Sequence, residues 1–520
     1  MRIWSKSWLA ASAALTVLGT AAAQAAPGEP ESILPAPAAT PTPAPAATPA
    51  PTATTTPTAT PAPGDPAAGQ VKMVEKIEIV PVEAPIMAWP VDRAEALLKV
   101  IEGIGAEGLV PADYKPTALR QAILAGPGAQ LDDVASHAFA WLAEDMRDGR
   151  TPMPARVQWF AVDPDQDSNP TAGLMAQALE TGDVAGVIAS LAPRHPDYAA
   201  LKAAYAATPR TDKARRELIR ANMDRWRWLQ QDLGPLYLLT NVPEFQLRME
   251  KNHQIINTYR TVVGKPGKTA TPQLAETIEA VVFNPTWTVP QSIVVGEGLG
   301  ARLLKSPAAA KREGYAVTQM ANGFVKVVQQ PGPNNALGLM KIDMPNEHAI
   351  YLHDTPAKAF FAHPVRAYSH GCVRTERAVE LGMTLAIYGA GMDFDTVVKT
   401  ATSGEYTKVK MERTVPVYIT YFTMARDLKG KLSSFSDIYG RDAPVIQSFA
   451  AARALKTTQR KSLEPVIELD NPLGGFRTWG KRTARCSAAA GRAHRAASGS
   501  RSAGSSPLRE HPQGRECRVA

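Results

Sequence analysis

Cys372 is the only cysteine in the body of the chain; the other two of its three, Cys486 and Cys517, lie in an Arg-rich C-terminal stretch. A lone thiol can form no internal disulfide framework and is too few for a cysteine-type zinc site. In an oxidising compartment it is a liability unless it has a task. It sits in Ser369-His370-Gly371-Cys372-Val373-Arg374, downstream of Tyr351-Leu352-His353-Asp354-Thr355. A thiol attacks as thiolate, and with a free pKa of about 8.5 it needs a base to ionise near neutrality. Acyl transfer also needs hydrogen-bond donors for the oxyanion of a tetrahedral intermediate. His353 and His370 are candidate bases, and Gly371 lets the backbone approach closely or turn sharply. The pattern fits a cysteine nucleophile paired with an imidazole as thiolate and imidazolium. On spacing alone two other readings stay open: coincidence, or a partial metal site completed by Asp354 and His363. A metal, however, explains neither Ser369 and Gly371 nor Arg374.

Positioning these groups asks for a strand that ends at His353 and brings its ring across to the loop carrying Cys372. The surrounding sequence supplies strands. Leu236–Asn241, Phe245–Met249, Ile255–Val263, Ile278–Phe283, Ile293–Val295, Phe324–Val328, Ala349–Leu352 and Val415–Phe422 are short β-rich runs separated by turn residues, with a helix expected at Thr375–Tyr388. Residues 291–346 are too long for a hairpin and are punctuated by glycines. Such an insertion beside a reactive thiol reads as a lid, or equally as a rigid subdomain. Upstream the pattern turns helical: Val91–Glu102, Leu119–Leu124, Val134–Met146, Leu174–Leu179, Val184–Leu191 and Ala214–Gln231 space their apolar residues on one helix face. Ala135, Phe139, Leu142 and Met146 make a core stripe rather than a ligand box. The expected fold is α+β: an all-helical domain over 72–212, a mostly-β domain with an inserted capping segment over 213–430, and a C-terminal extension over 431–470.

The ends read differently. Arg2 and Lys6, an apolar Trp8–Leu18 and Ala23-Gln24-Ala25 make residues 1–25 an expected cleavable signal peptide, hence export to the periplasm. Residues 26–71 are nearly all Pro, Ala and Thr, which cannot repay ordering entropy and favour an extended tether. Residues 471–520 read as a basic disordered tail. They carry +8 by themselves and residues 1–25 carry +2, so the formal net charge of +8 leaves −2 on residues 26–470. A basic nucleic-acid groove is therefore not indicated.

The run His-x15-Ser-His-Gly-Cys-x-Arg resembles the signature of the YkuD-type L,D-transpeptidases. Asn222-Met223-x-Arg225-Trp226-x-Trp228, Asn284-Pro285-x-Trp287-x-Val289-Pro290 and Tyr351-Leu352-His353-Asp354-Thr355-Pro356 are similar to motifs of that family's large, scaffold-bearing Gram-negative (YcbB-like) branch. The resemblance covers about residues 75–425. One departure is that residues 150–212 are too short for the peptidoglycan-binding repeat this branch often carries. By position, the resemblance implies Cys372 as nucleophile and His353 as general base. His370 and Gly371 would shape the oxyanion and substrate pocket. Ser369 would orient an imidazole, Arg374 would pair with a substrate carboxylate or a nearby acid, and Asp354 would orient His353 or stabilise a turn. Tyr351 and Trp287 would line the pocket or the core. The implied reaction forms 3→3 crosslinks between peptidoglycan tetrapeptide stems, donor and acceptor, through a Cys372 thioester with release of D-alanine. No cofactor or metal is implied, and other cell-wall enzymes are the expected partners. Rival readings are an L,D-carboxypeptidase, a transferase anchoring proteins to the wall, an ordinary thiol endopeptidase, and a non-catalytic wall-binding scaffold.

Overall fold

The computed structural model describes residues 79–464 apart from residue 297. The expected signal peptide, tether and basic tail lie outside the described residues. The first half is built of α1 (Val91–Gly103), α2 (Pro116–Ala125), α3 (Ala129–Asp148), α4 (Asp165–Ser168), α5 (Thr171–Thr181), α6 (Val184–Ser190), α7 (Pro196–Ala207) and α8 (Lys213–Trp226). Helix α1 buries Ala94, Leu97 and Ile101, one face of a 3.6-residue period, into a core shared with α2, α3, α5 and α6. The expected stripe Ala135, Phe139, Leu142 and Met146 is fully buried there. Helix α7 was not foreseen: its Ala-rich sequence carries little amphipathic pattern, and neighbouring elements decide its burial. Its Tyr198 and Leu201 enter a second core with Ile219 and Trp226 of α8 and with the sheet that follows.

The second half is β-rich, as the α+β expectation has it. Its strands are β1 (Leu236–Asn241), β2 (Gln246–Lys251), β3 (Gln254–Gly264), β4 (Leu274–Thr277), β5 (Ala280–Phe283), β6 (Trp287–Thr288), β7 (Tyr315–Gln319), β8 (Val325–Gln329), β9 (Met340–Asp343), β10 (Leu352–His353), β11 (Ala367–Ser369), β12 (Val373–Thr375), β13 (Thr407–Lys410), β14 (Pro416–Thr420), β15 (Met424–Arg426) and β16 (Leu432–Ser434). The main sheet runs β13-β5-β9-β10-β12-β3-β2-β1-β14-β4. Strand β3 joins its halves by changing partner along its length: Gln254–Arg260 pair β2, Thr261 and Val262 pair β12, and Val263 and Gly264 pair β11. Alternate residues of both halves, among them Leu238, Leu247, Val281, Ile342, Leu352 and Val373, meet in one apolar core.

Residues between β5 and β9 form a separate small unit. The strands β6-β8-β7 pair with one another, and α9 (Gln291–Val294), α10 (Leu299–Lys305) and α11 (Pro307–Arg312) pack on them around Val289, Val294, Leu303, Ala310 and Val327. The inserted segment is thus a unit with a core of its own. Ile293–Val295 is therefore not a strand: Pro290 at the N-cap launches a short helix. Ala349–Leu352 is also corrected. Only Leu352 and His353 are extended, because Ala349 turns in a left-handed conformation with φ +51°. After β12 come α12 (Ala378–Ala390), which packs against the core, and α13 (Phe394–Thr402); α14 (Asp442–Ala450) returns to pack on α8.

Candidate active site

Register builds the site. Strand β10 lies between β9, antiparallel, and β12, parallel: Leu352 pairs Ile342 and Val373, and His353 pairs Lys341 and Arg374. Leu352, Ile342 and Val373 point into the core. Pleating then sends Lys341, His353 and Arg374 to the opposite face as one row across three strands. Continuing the same register places Asp343, Tyr351 and Cys372 in the next row on that face, and Val373 N–H donates to the Tyr351 carbonyl at 3.1 Å. The thiol and the imidazole are thus brought in on neighbouring parallel strands, Cys372 two residues before the Arg374 that pairs with His353. The Tyr351 ring fills the angle between them, its centroid 5.6 Å from that of His353 in an edge-on arrangement.

The electrostatics differ from the expected ion pair. His353 is buried, and its Nδ1 has no hydrogen-bond partner. Burial first, then the Arg374 guanidinium and the Lys341 ammonium, push the ring down to about 3, against upward pulls from the backbone of Asp354 and Leu337. Cys372 is only partly exposed, and its Sγ lies 3.7 Å from the Ala349 carbonyl. Burial raises the thiol above its ordinary pKa, and Tyr351, Lys341 and Arg374 counter this only in part. At neutral pH both shifts favour a neutral thiol beside a neutral imidazole, not a thiolate–imidazolium pair. A neutral imidazole with a free nitrogen is still a competent base.

The other expected residues divide. The Ser369 hydroxyl donates to the Cys372 carbonyl at 2.6 Å and accepts from the Gly371 amide at 3.1 Å. It braces the nucleophile turn and does not orient an imidazole. Gly371, at φ +120°, occupies backbone space closed to other residues, and Thr271 donates to its carbonyl at 2.8 Å. Its amide is engaged by Ser369 and does not serve an oxyanion. The Asp354 carboxylate accepts from Leu339 N–H at 3.0 Å and pairs with Lys358, so of its two expected roles the structure realises the turn-stabilising one. Gly338 is required beneath it: at φ +62°, an added Cβ would come within 2.3 Å of Asp354 Oδ2. Arg374 lies over the Phe360 ring at 5.7 Å, with its Nε buried and unpartnered. His370 is exposed on the turn, and Trp287 is half-buried in β6. His363 packs edge-on against Tyr368 at 5.7 Å. Among the described residues no three His, Cys, Asp or Glu side chains converge as a metal-holding group.

Sequence reasoning missed several positioning residues. Lys341 was one: the alternating Met340-Lys341-Ile342-Asp343 was a visible signal, but its register against His353 was not. Asn335 is another. Buried, it donates to the Pro285 and Gln330 carbonyls and accepts from Leu337 N–H at 2.8 Å, fixing the loop that covers His353. Asn346 donates to the Met344 and Ile350 carbonyls and accepts from His348 and Ile350 N–H, shaping the loop whose Ala349 carbonyl meets the sulfur.

A family model described as the L,D-transpeptidase catalytic domain (YkuD) matches residues 235–385, and a Scaffold domain model matches residues 87–204. A curated protein of Haemophilus influenzae named "Putative L,D-transpeptidase" is 28% identical over 223 residues, 40% of this chain and 45% of that one. The chain thus spans about half the length of the curated relative it matches. Solved structures with local likeness include an L,D-transpeptidase from Mycobacterium smegmatis (12% identity, TM-score 0.18, 36% of this chain and 58% of that chain). Another is L,D-transpeptidase 3 from Mycobacterium tuberculosis (10% identity, TM-score 0.19, 36% of this chain and 61% of that chain).

Proposed function

We propose that this chain, which carries an L,D-transpeptidase catalytic domain behind a scaffold domain, is an exported peptidoglycan L,D-transpeptidase that forms 3→3 crosslinks. The observation that supports it most is that Cys372 and His353 come from neighbouring parallel strands inside the matched domain, with His353 buried and its Nδ1 unpaired. The thiol proton passes to Nδ1 as the sulfur attacks the carbonyl between the third residue of a tetrapeptide stem, a diamino acid, and its terminal D-alanine. The amide C–N bond breaks, the imidazolium returns the proton to the departing amine, and a thioester remains on Cys372. The side-chain amine of a second stem attacks that thioester, the sulfur leaves, and the new amide is the crosslink. With water as acceptor the same intermediate gives L,D-carboxypeptidase activity, and with a protein amine it gives wall anchoring. The Cys372 amide and exposed His370 are the candidate oxyanion donors, since the Gly371 amide is engaged by Ser369.

Peptidoglycan stems are the proposed donor and acceptor, the periplasm the proposed compartment, and carbapenem-type β-lactams the proposed acylating inhibitors of the same sulfur. Incubation with purified disaccharide-tetrapeptide should yield dimers and free D-alanine by mass analysis, and Cys372→Ala should yield neither. Cleavage products without dimers or free D-alanine would favour the endopeptidase reading. No turnover and no carbapenem adduct would favour the non-catalytic scaffold.

A further inference from the structure

Lys341 takes no part in the chemistry above, yet β9 carries it into the row of the base. Across three adjacent strands that row reads Lys341, His353, Arg374, so the imidazole has a cation on each side. By itself this hinders proton abstraction, because a protonated His353 would be a third positive charge in line. The cations are not both committed elsewhere. Asp343 stands 3.5 Å from Lys341 Nζ, but its other oxygen is held by Lys408 at 2.5 Å. Asp343 therefore stays compensated if Lys341 turns away. The Lys341 ammonium already lies 4.6 Å from the Tyr351 ring centre, in the row of the thiol. On the other flank, Arg374 Nε is buried with no partner.

Resting on the transpeptidase reading, we infer that Lys341 and Arg374 together bind the terminal carboxylate of the donor stem, and that this anion enables His353 to take the thiol proton. The chemistry of the donor fits the spacing. Its carboxylate carbon is only three covalent bonds from the attacked carbonyl carbon, so whatever binds it must stand beside the sulfur. A carboxylate between the two cations offsets their repulsion of an imidazolium, and charge-assisted hydrogen bonds fix the donor's terminus. Selectivity for the last peptide bond of a free-ended stem follows from the same contact. The thiol is activated most strongly when such an end is present.

The test compares acylation of the full protein by disaccharide-tetrapeptide and by its C-terminal carboxamide, followed by intact mass. The carboxamide should react on the order of tenfold more slowly, the factor that one hydrogen-bonded charge contact supplies. Lys341→Met should slow the free-acid donor and bring the ratio of the two donors' rates towards one, whereas Lys341→Arg should keep most of the selectivity. Structural damage would instead slow both donors alike. Equal wild-type rates for the two donors, or an unchanged ratio in Lys341→Met, would overturn the carboxylate role alone. Absence of any acyl adduct with either donor would overturn the transpeptidase reading and this inference with it.

Discussion

A thiol that rests neutral has a different pH profile from one stored as an ion pair. With His353 pushed down to about 3 and Cys372 pushed up by burial, alkylation by iodoacetamide without donor should rise with pH towards a midpoint above about 8.5. It should show no plateau between pH 4 and 7, where a thiolate–imidazolium pair would already react fast. The sign follows from the directions: raising a thiol's pKa depletes thiolate at neutrality, and lowering the imidazole's removes the cation that would hold one. His353→Gln should leave that donor-free profile largely in place and cut acylation by tetrapeptide about 100-fold or more. A fast, flat alkylation rate at pH 5–6 would show the ion pair to be present after all.

Among the elements, the loop between β9 and β10 holds strain beside the thiol. Ala349 sits at φ +51°, a region that costs a residue with a Cβ about 1 kcal/mol, and the two-carbonyl, two-amide clasp of Asn346 holds it there. That conformation aims the Ala349 carbonyl at Sγ. Ala349→Gly should raise stability by about 0.5 kcal/mol, the strain relieved being offset by glycine's greater freedom when unfolded. It should also lower the acylation rate several-fold, because the carbonyl is no longer fixed, a stability-for-activity exchange. Paired thermal melts and acylation rates decide it; a stabilised variant with undiminished acylation would mean the loop positions nothing.

In the whole molecule, the motif Asn222-Met223-x-Arg225-Trp226-x-Trp228 joins the two halves. Asn222 bonds Thr423 in both directions, at 3.0 and 2.9 Å, and Arg225 reaches Asp442 at 2.6 Å. Asp224 accepts from the amides of Arg150 and Thr151 and from the Trp228 indole. Burial alone would raise its pKa, but Arg227, Arg156 and these donors hold the carboxyl below its usual range. The C-terminal extension closes the arrangement: Arg453 pairs with Glu144 and Asp145 of α3, and Lys461 with Glu347 in the loop before β10. Asp224→Asn should cost about 3 kcal/mol at pH 7, the penalty for breaking a buried charge network. Because the folded pKa is depressed, the contribution is complete above the unfolded value of about 4 and fades as pH falls through the folded one. The gap between the urea midpoints of wild type and variant should accordingly be constant above about pH 4 and shrink steadily as pH falls further, and a gap that does not shrink would mean the charge is not what Asp224 contributes.

The sequence by itself determined the nucleophile turn, the helical region followed by a β-rich one, and most helix and strand locations, because these depend on local pattern: a lone cysteine between glycine and arginine, apolar periods of 3.6 and 2. Tertiary structure alone decided the rest. Which strands became neighbours set Lys341 and Arg374 on either side of His353, and register is a long-range property that no local window contains. Burial, not residue type, favours the neutral form of both groups, and the two cations add to it at His353 while opposing it at Cys372. Helix α7 and the turn at Ala349 likewise follow from what packs around them, which is why an Ala-rich run was passed over and an apparent strand was misread from its own residues.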